Sequence, residues 1–401
     1  MNQVRTAMII GAGVAGPVTA IALKKAGIDS VVYEAHSQGA EGIGSFLTLA
    51  TNGFSALASL SAADNVAQLG FESPHMTMLN HRGKVLGQTS QSTNTPGGTV
   101  SRTLRRSDLY SALLETAHAA GIRFETGKRL VNAHEDSDKV VAEFADRTTA
   151  EADILIGCDG IHSTVRRIID PNAPQPRYVG LINTGGFAPK GSLNLPAGTY
   201  QMMFGKRAFF GYGADHDDQV WWFANLPHPT EPARGELTGQ APEALRRQLI
   251  DLFADDHSPA VELIKATPEL PLATPIHSIP HLPNWHRGRM VVIGDAAHAP
   301  SPSSGQGASL SIEDAVELAR CLRDLSEPEA AFTRFTDIRR PRVEAIIQWA
   351  ARINNSKAAG PVARIIRDAV LPIILKKTAD SKIHRDMHNH QIDWDATVRA
   401  A

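Results

Sequence analysis

The sequence predicts an α/β protein: a three-layer unit built on a mostly parallel sheet of the dinucleotide-binding (Rossmann-like) type, with an inserted antiparallel sheet and C-terminal helices. Three observations predict it. A strand, glycine turn, helix and second strand open the chain. Apolar strands that end in acid-and-glycine loops recur near 157 and 294. Residues 180–275 read as short strands joined by tight turns. At 401 residues the chain is long for one simple core, which favours more than one domain.

The elements follow in order. "AMII" (7–10) is a short apolar strand, "GAGVAG" (11–16) a glycine turn, and the helix after it carries Ala20, Leu23 and Lys24 at helical spacing before stopping at Gly27. "SVVYE" is the second strand, ending on Glu34. Between about 75 and 100 the alternation changes, and the "HRGK" turn marks a hairpin inserted into the nucleotide-binding unit. "RRSDLYSALLETAHAAG" resumes as helix, with Ser107 or Asp108 near its cap and Leu109, Leu113, Leu114 and Ala117 on one face. Several strands follow, the last being "ADILIG". Three strands between 198 and 227 turn at Gly205–Lys206 and Asp215–Asp218. "APEALRRQLIDLF" is then an amphipathic helix with Leu245, Leu249, Leu252 and Phe253 on one side. "MVVIGD" returns the chain to the first sheet, and helices are expected from about 311 onward. The expected division is 1–75, 100–180 and 276–330 for the nucleotide-binding domain, 76–99 and 181–275 for a substrate domain, and 331–401 for a C-terminal helical region.

Composition narrows the function. A net charge of −2 leaves no electrostatic footprint for nucleic acid. Two cysteines, Cys158 and Cys321, make no disulfide framework and fit a reducing cytoplasm. The N-terminal apolar run is too short for a signal peptide or a membrane span. The chemistry sits in the glycine turns. Gly11 permits the tight turn, Gly13 the approach of a pyrophosphate, and Gly16 close helix–strand packing. Glu34, eighteen residues beyond Gly16, is placed to accept hydrogen bonds from a ribose diol.

"GAGVAG…YE", "DILIGCDGIHSTVR" and "GRMVVIGDAAHAPSPSSGQGASLSIEDA", in this order over roughly residues 1–345, resemble the three motifs of the single-component (class A) FAD-dependent monooxygenases, the group of aromatic hydroxylases and tetracycline-inactivating flavoenzymes. The resemblance implies FAD as cofactor, NAD(P)H as a transient co-substrate and O2 as oxidant. It also implies oxygenation of an aromatic or polycyclic small molecule through a flavin C4a-(hydro)peroxide. A nicotinamide-free FAD oxidase or dehydrogenase, or a flavin-loaded binding protein, are the alternatives. It places Gly11, Gly13, Ala15, Gly16 and Glu34 on the adenosine diphosphate part of FAD, and Arg106 on the cofactor with Arg105 as its rival. Asp159 and Gly160 serve FAD and the nicotinamide. Asp295 binds the ribityl chain, and Pro302, Gly305, Gln306 and Gly307 lie around the flavin ring. Members of this family often carry arginine after the ribose acid, where this chain has Ala35 and His36.

On the substrate side, Tyr200, Met202 and Phe204 share one strand face and Phe210 and Tyr212 another. Tyr200, Phe210 and Tyr212 are the candidate pocket residues, with Tyr212 able to orient a phenol. "WWF" (221–223) reads as ordinary strand, and Cys158 as a small buried residue. "RFTDIRRPRV" (334–343) reads as a solvated helix face. His384, His388 and His390 belong to a polar tail, and no metal is expected. "VARIIRDAVLPIILKK", interrupted by Pro372, is too short to span a bilayer. It can pack on the flavin domain, cover the entrance or form a dimer contact, so the expected state is monomer or homodimer.

Overall fold

A computed structural model describes residues 4–37, 45–93, 99–191, 193–357, 360–378 and 386–400. The chain opens with β1 (Thr6–Ile10), α1 (Ala15–Lys25) and β2 (Asp29–Glu34), then β3 (Phe46–Leu49), α2 (Thr51–Ser59), α3 (Asp64–Ala67) and β4 (Phe71–Glu72). The hairpin β5 (His75–Asn80) and β6 (Val85–Ser90) precedes β7 (Arg102–Arg105), α4 (Arg106–Ala119) and β8 (Arg123–Thr126). β9 (Leu130–Asp136), β10 (Lys139–Phe144), β11 (Thr149–Ala152), β12 (Ile154–Gly157) and α5 (Thr164–Ile169) complete the first half. The second half runs β13 (Arg177–Pro189), β14 (Tyr200–Phe204), β15 (Phe209–Ala214), β16 (Gln219–Pro227), α6 (Pro242–Phe253), α7 (Ala260–Ala266), β17 (Thr274–Ser278), β18 (His286–Arg287) and β19 (Met290–Val292). It ends in α8 (Gly307–Asp324), α9 (Pro328–Lys357) and α10 (Pro361–Thr378).

The central sheet has the order β18-β19-β12-β1-β2-β8, and every pair in it except β18–β19 is parallel. Parallel strands covered on both faces must be apolar throughout, as β12, buried at every position, shows. Tyr33 of β2 stacks on Phe144 of β10 at 4.9 Å and fastens the small β11-β10-β9 sheet to the central one. The second large sheet, β17-β13-β16-β15-β14-β5-β6, is antiparallel except where β14 meets β5. The 75–100 hairpin therefore adds two strands to the edge of this sheet. α6 and α7 bury Leu245, Leu249, Phe253, Leu263 and Ile264 against one of its faces, while Leu252 is only partly buried.

α4 begins at Arg106 with Arg105 as its N-cap, which sets Ser107 and Asp108 in its first turn, near the cap as expected. Several expectations need correcting at the ends of elements. α8 begins at Gly307, four residues before the expected start. Residues 389–400 are not helical, and the tail is not a solvated polar segment. Met387, Ile392, Trp394 and Val398 join the main core, and Arg323 lies over the Trp394 ring at 5.2 Å. His388 is buried, and His384 lies outside the described residues.

Candidate functional site

The loops at the carboxyl ends of β1, β12 and β19 meet, because these strands are neighbours in one parallel sheet. Gly11, at φ +101°, could not carry a side chain: a Cβ there would lie 2.5 Å from the Cys158 carbonyl oxygen. A Cβ on Gly16 would lie 2.0 Å from the Gly11 carbonyl oxygen. These two glycines let backbones touch. Gly13 differs, since nothing stands within 4 Å of where its Cβ would be, and the same holds for Gly160 and Gly305. The open side of all three is space, not protein. α1 starts at Ala15 with no side chain capping it, which leaves its first N–H groups for an anion. Glu34 is held by the Ala12 N–H at 2.8 Å and the His36 N–H at 2.9 Å, so its carboxylate is fixed beside the same turn.

Asp159 spends its acceptors locally. It receives the Ser163 hydroxyl and the Thr164 and Val165 N–H groups, at 2.7 and 3.1 Å for the two amides, and so anchors the N-terminus of α5. Burial raises the Asp159 carboxyl above its usual value, against the pull of those bonds. Arg166, itself buried, donates to the Ala296 carbonyl at 2.9 Å and ties α5 to the loop after β19. In that loop Asp295 remains open to solvent although protein surrounds it. The enclosure raises its carboxyl, with the Arg106 guanidinium and the His298 ring pulling the other way and Asp314 adding to the rise. An accessible carboxylate ringed by protein marks a recess.

Arg105 and Arg106 part company here. The Arg106 side chain is exposed and acts electrostatically on Asp295. Arg105, its neighbour across the end of β7, donates to Gln219 Oε1 at 2.9 Å and lies over the Phe187 ring at 4.6 Å. Only Arg106 faces the recess.

α8, eighteen residues long, points its uncapped N-terminus at Gly305–Gly307, and Gln306 is held from below by Asn52 at 3.0 Å. Beneath this turn lies a buried ion cluster that the sequence reading missed. Arg339 donates to Glu313 at 2.6 Å and to Asp314 at 2.7 Å, and Arg342 donates to both Glu313 oxygens at 2.9 and 2.8 Å. Asp314 also accepts the Gly294 N–H at 2.9 Å and pairs with His298 at 2.5 Å. Burial would raise both carboxyls, but the arginines, with His298 beside Asp314, outweigh it and hold both below their usual range. The stretch 334–343, expected as a solvated face, is therefore turned inward at Arg339 and Arg342, because two buried acids on α8 need cations.

His390, at the edge of the cluster, is pushed down to about 4 by burial, against the attraction of Glu313. An unfolded histidine titrates near 6.5, so between those values the unfolded chain binds the extra proton and stability falls as pH drops from about 6.5 to 4. With part of the ring in solvent, the expected loss is on the order of 1–2 kcal/mol. Urea midpoints at pH 7 and pH 4.5 measure it, and His390→Gln should flatten the difference.

Strand parity decides the substrate side. The pairings Met203↔Phe210, Gln201↔Tyr212, Phe210↔Ala224 and Tyr212↔Trp222 put Phe210, Tyr212 and Trp222 on the helix-covered face. Phe210 stacks on Trp222 at 5.3 Å and meets Phe253 of α6. The Tyr212 hydroxyl donates to Gln201. Phe210 and Tyr212 are thus core residues and do not line the pocket expected of them. Tyr200 lies on the opposite face, buried, with its hydroxyl accepting from Thr48 at 3.3 Å. That face carries residues the sequence reading passed over: Phe187, Trp221 and Phe223, all meeting Phe46 of β3 at ring distances of 5.8–6.3 Å. The other end of β3 leads to Ala50, whose N–H donates to Ser309 in the first turn of α8. The aromatic face and the α8 N-terminus are therefore about one short strand, ~13 Å, apart. Cys158 is buried, its thiol pushed up by burial, with Thr19 as its neighbour. No cluster of metal-ligating side chains occurs among the described residues.

The residues fit FAD on their own geometry. Two helix N-termini lack caps, three glycines face open space, and an acid, an arginine and an accessible buried-type carboxylate surround one recess. Comparison with known proteins agrees. The family described as FAD binding domain matches residues 4–350. The aurachin C monooxygenase/isomerase of Stigmatella aurantiaca is 28% identical over 385 residues, 95% of this chain and 97% of that protein. The 2-heptyl-3-hydroxy-4(1H)-quinolone synthase of Pseudomonas aeruginosa is 31% identical over 348 residues, covering 85% and 86%. The crystal structure of Klebsiella pneumoniae HpxO with FAD and uric acid superimposes with a TM-score of 0.82 at 26% identity, over 95% of this chain and 97% of that one.

Proposed function

From the premise that this chain belongs to the FAD binding domain family of FAD-dependent monooxygenases, we propose that it is an NAD(P)H- and O2-using hydroxylase of a flat aromatic or polycyclic small molecule. The observation that carries the substrate class is the aromatic face of Phe46, Phe187, Trp221 and Phe223 within a strand's length of the α8 N-terminus. Relatives named for urate and for a 4(1H)-quinolone support a ring substrate bearing oxygen. We place the reaction in the cytoplasm.

Bound FAD supplies the electron transfer from NAD(P)H and the oxygen chemistry. The chain's part is to bind and orient. The α1 N-terminus and Gly13 receive the pyrophosphate, Glu34 the adenosine ribose, and Arg106 and Asp295 the middle of the cofactor. Asp159 and Gly160 act through the loop they shape, with Asp159 fixing α5 and Arg166 fixing the Asp295 loop. The α8 N-terminus and the Pro302–Gly307 turn offer N–H groups and a positive dipole end to negative charge on the reduced ring. The aromatic face excludes water and stacks substrate, and Arg105 presents a cation at its border.

Anaerobic mixing with NADH and with NADPH, with and without aromatic ligands, tests the reading. Flavin bleaching followed by oxygen-dependent product is expected, and a flavin that neither nicotinamide reduces would overturn it. The two arginines give a sharper prediction. Arg106→Ala should weaken FAD binding about 10- to 100-fold, the worth of a charge-assisted hydrogen bond. Arg105→Ala should leave FAD affinity within about twofold and raise the substrate KM instead. Flavin fluorescence titration and steady-state kinetics separate them.

A further inference from the structure

α10 has two unlike sides. Its inner side docks on the antiparallel sheet: Leu371 packs with Phe204, Phe209 and Leu86, and Leu375 sits over Gly87. Arg367 covers the Phe204 ring at 4.4 Å, and Asp368 accepts from Asn80 at 3.2 Å. The outer side is aliphatic and in solvent. Ile365, Ile366, Val370 and Ile373 are 70, 58, 41 and 58% exposed, and Ala369 is exposed between them. At 3.6 residues per turn these five positions fall within an arc of about 140°. A monomer seldom leaves such a stripe open without a use.

Charge says what covers it. Residues 361–378 hold Arg364, Arg367, Lys376 and Lys377 against Asp368, four cations to one anion and so +3, in a chain whose net charge is −2. Arg82 and Lys206 gather with Arg364 around His81 at one end of the helix, and Arg82, Lys84 and Lys206 are exposed. Acids are present too: Lys206 pairs with Asp255, Arg207 with Asp251 and Arg367 with Asp368, which leaves the rim basic but not uniformly so. Two copies meeting across this face would set one +3 helix against another. An exposed aliphatic stripe with a basic rim matches an interfacial helix lying in an anionic lipid surface. No helix among the described residues is long and apolar enough to cross a membrane, so the contact is peripheral.

We propose that α10 docks this protein on the surface of anionic lipid bilayers. Its inner face packs on Phe204 and Phe209 and reaches Phe223 of the aromatic side of the sheet, so docking sets the bilayer beside that aromatic face. Use of this contact to take lipophilic aromatic substrates from the membrane rests on the monooxygenase reading; the docking itself does not.

The test is co-sedimentation of the full-length, FAD-loaded protein with phosphatidylcholine vesicles and with mixed phosphatidylcholine–phosphatidylglycerol vesicles at low and high salt. Binding should be roughly 10-fold stronger to the mixed vesicles and weaken with salt. The Ile365→Ser/Ile366→Ser/Ile373→Ser variant should lose it roughly 10-fold or more while keeping its flavin and its NAD(P)H oxidation. Absence of binding to either vesicle, or binding that the triple variant retains, overturns the proposal. A dimer in solution that the triple variant abolishes also overturns it and gives the face to a second copy. Because NAD(P)H oxidation is read in the same samples, failure of docking and failure of the monooxygenase reading give different results.

Discussion

Arg339→Ala should lower stability by about 3–5 kcal/mol and yield protein that has lost most of its FAD. Arg339 is almost wholly buried and bridges two buried carboxylates, Glu313 and Asp314. Removing one partner of a buried pair leaves uncompensated charge, the costly case, whereas replacing the whole cluster by apolar groups need not destabilise. Arg342 still faces Glu313, so the orphan is chiefly Asp314. Asp314 is also what receives the Gly294 N–H and His298, so its disturbance passes directly to the loop that carries Asp295. Thermal unfolding should show a Tm lower by roughly 4–6 °C, and flavin fluorescence after gel filtration should show cofactor release. Arg339→Lys should recover only part of the loss, since an ammonium cannot serve both acids through fixed parallel bonds. A variant with unchanged Tm and full flavin content would show that the cluster does not support the site.

The second large effect separates glycines of one motif. Gly16→Ala should destabilise the apoprotein by about 1–3 kcal/mol or more, because its methyl would have to enter the Gly11 carbonyl. Gly13→Ala should leave apoprotein stability within about 0.5 kcal/mol, since its methyl meets no protein atom. It should nonetheless weaken FAD binding by about 10- to 100-fold, since the close approach of phosphate to backbone is what the missing side chain permits. Urea unfolding of the apoproteins and titration with FAD measure the two quantities separately. Equal FAD affinity in wild type and Gly13→Ala would remove the pyrophosphate from this turn.

The two predictions mark the boundary of what a linear reading can reach. The spacing of "GAGVAG" already gave Gly13 to ligand approach and Gly16 to packing, but only the fold supplies what each one meets: the Gly11 carbonyl for Gly16 and open space for Gly13. Likewise "LRRSDL" offers two arginines. Only the turn from β7 into α4 sends Arg106 toward Asp295 and Arg105 toward Phe187. The aromatic residues of the sheet were visible as strand residues, but the face they serve depends on which side α6 covers. Phe210 and Tyr212 went inward, and Trp221 and Phe223 went to the face that meets Phe46. Alternation within "VWWFANL" carried half the signal, since it separates Trp222 from its two neighbours.

By itself the sequence determined the α/β class, the parallel sheet with its three glycine-rich loops, the inserted hairpin and the flavin family. All of these are written in short-range patterns: strand-length apolar runs, glycine spacing and an acid at a strand end. Tertiary structure alone decided the inward turn of Arg339 and Arg342, the burial of the tail through Trp394 and the two sides of α10. Each of these depends on what a distant segment brings alongside. A basic stretch reads as solvated until two buried acids on another helix face it, because the energy of a charge is set by its surroundings and not by its neighbours in the chain.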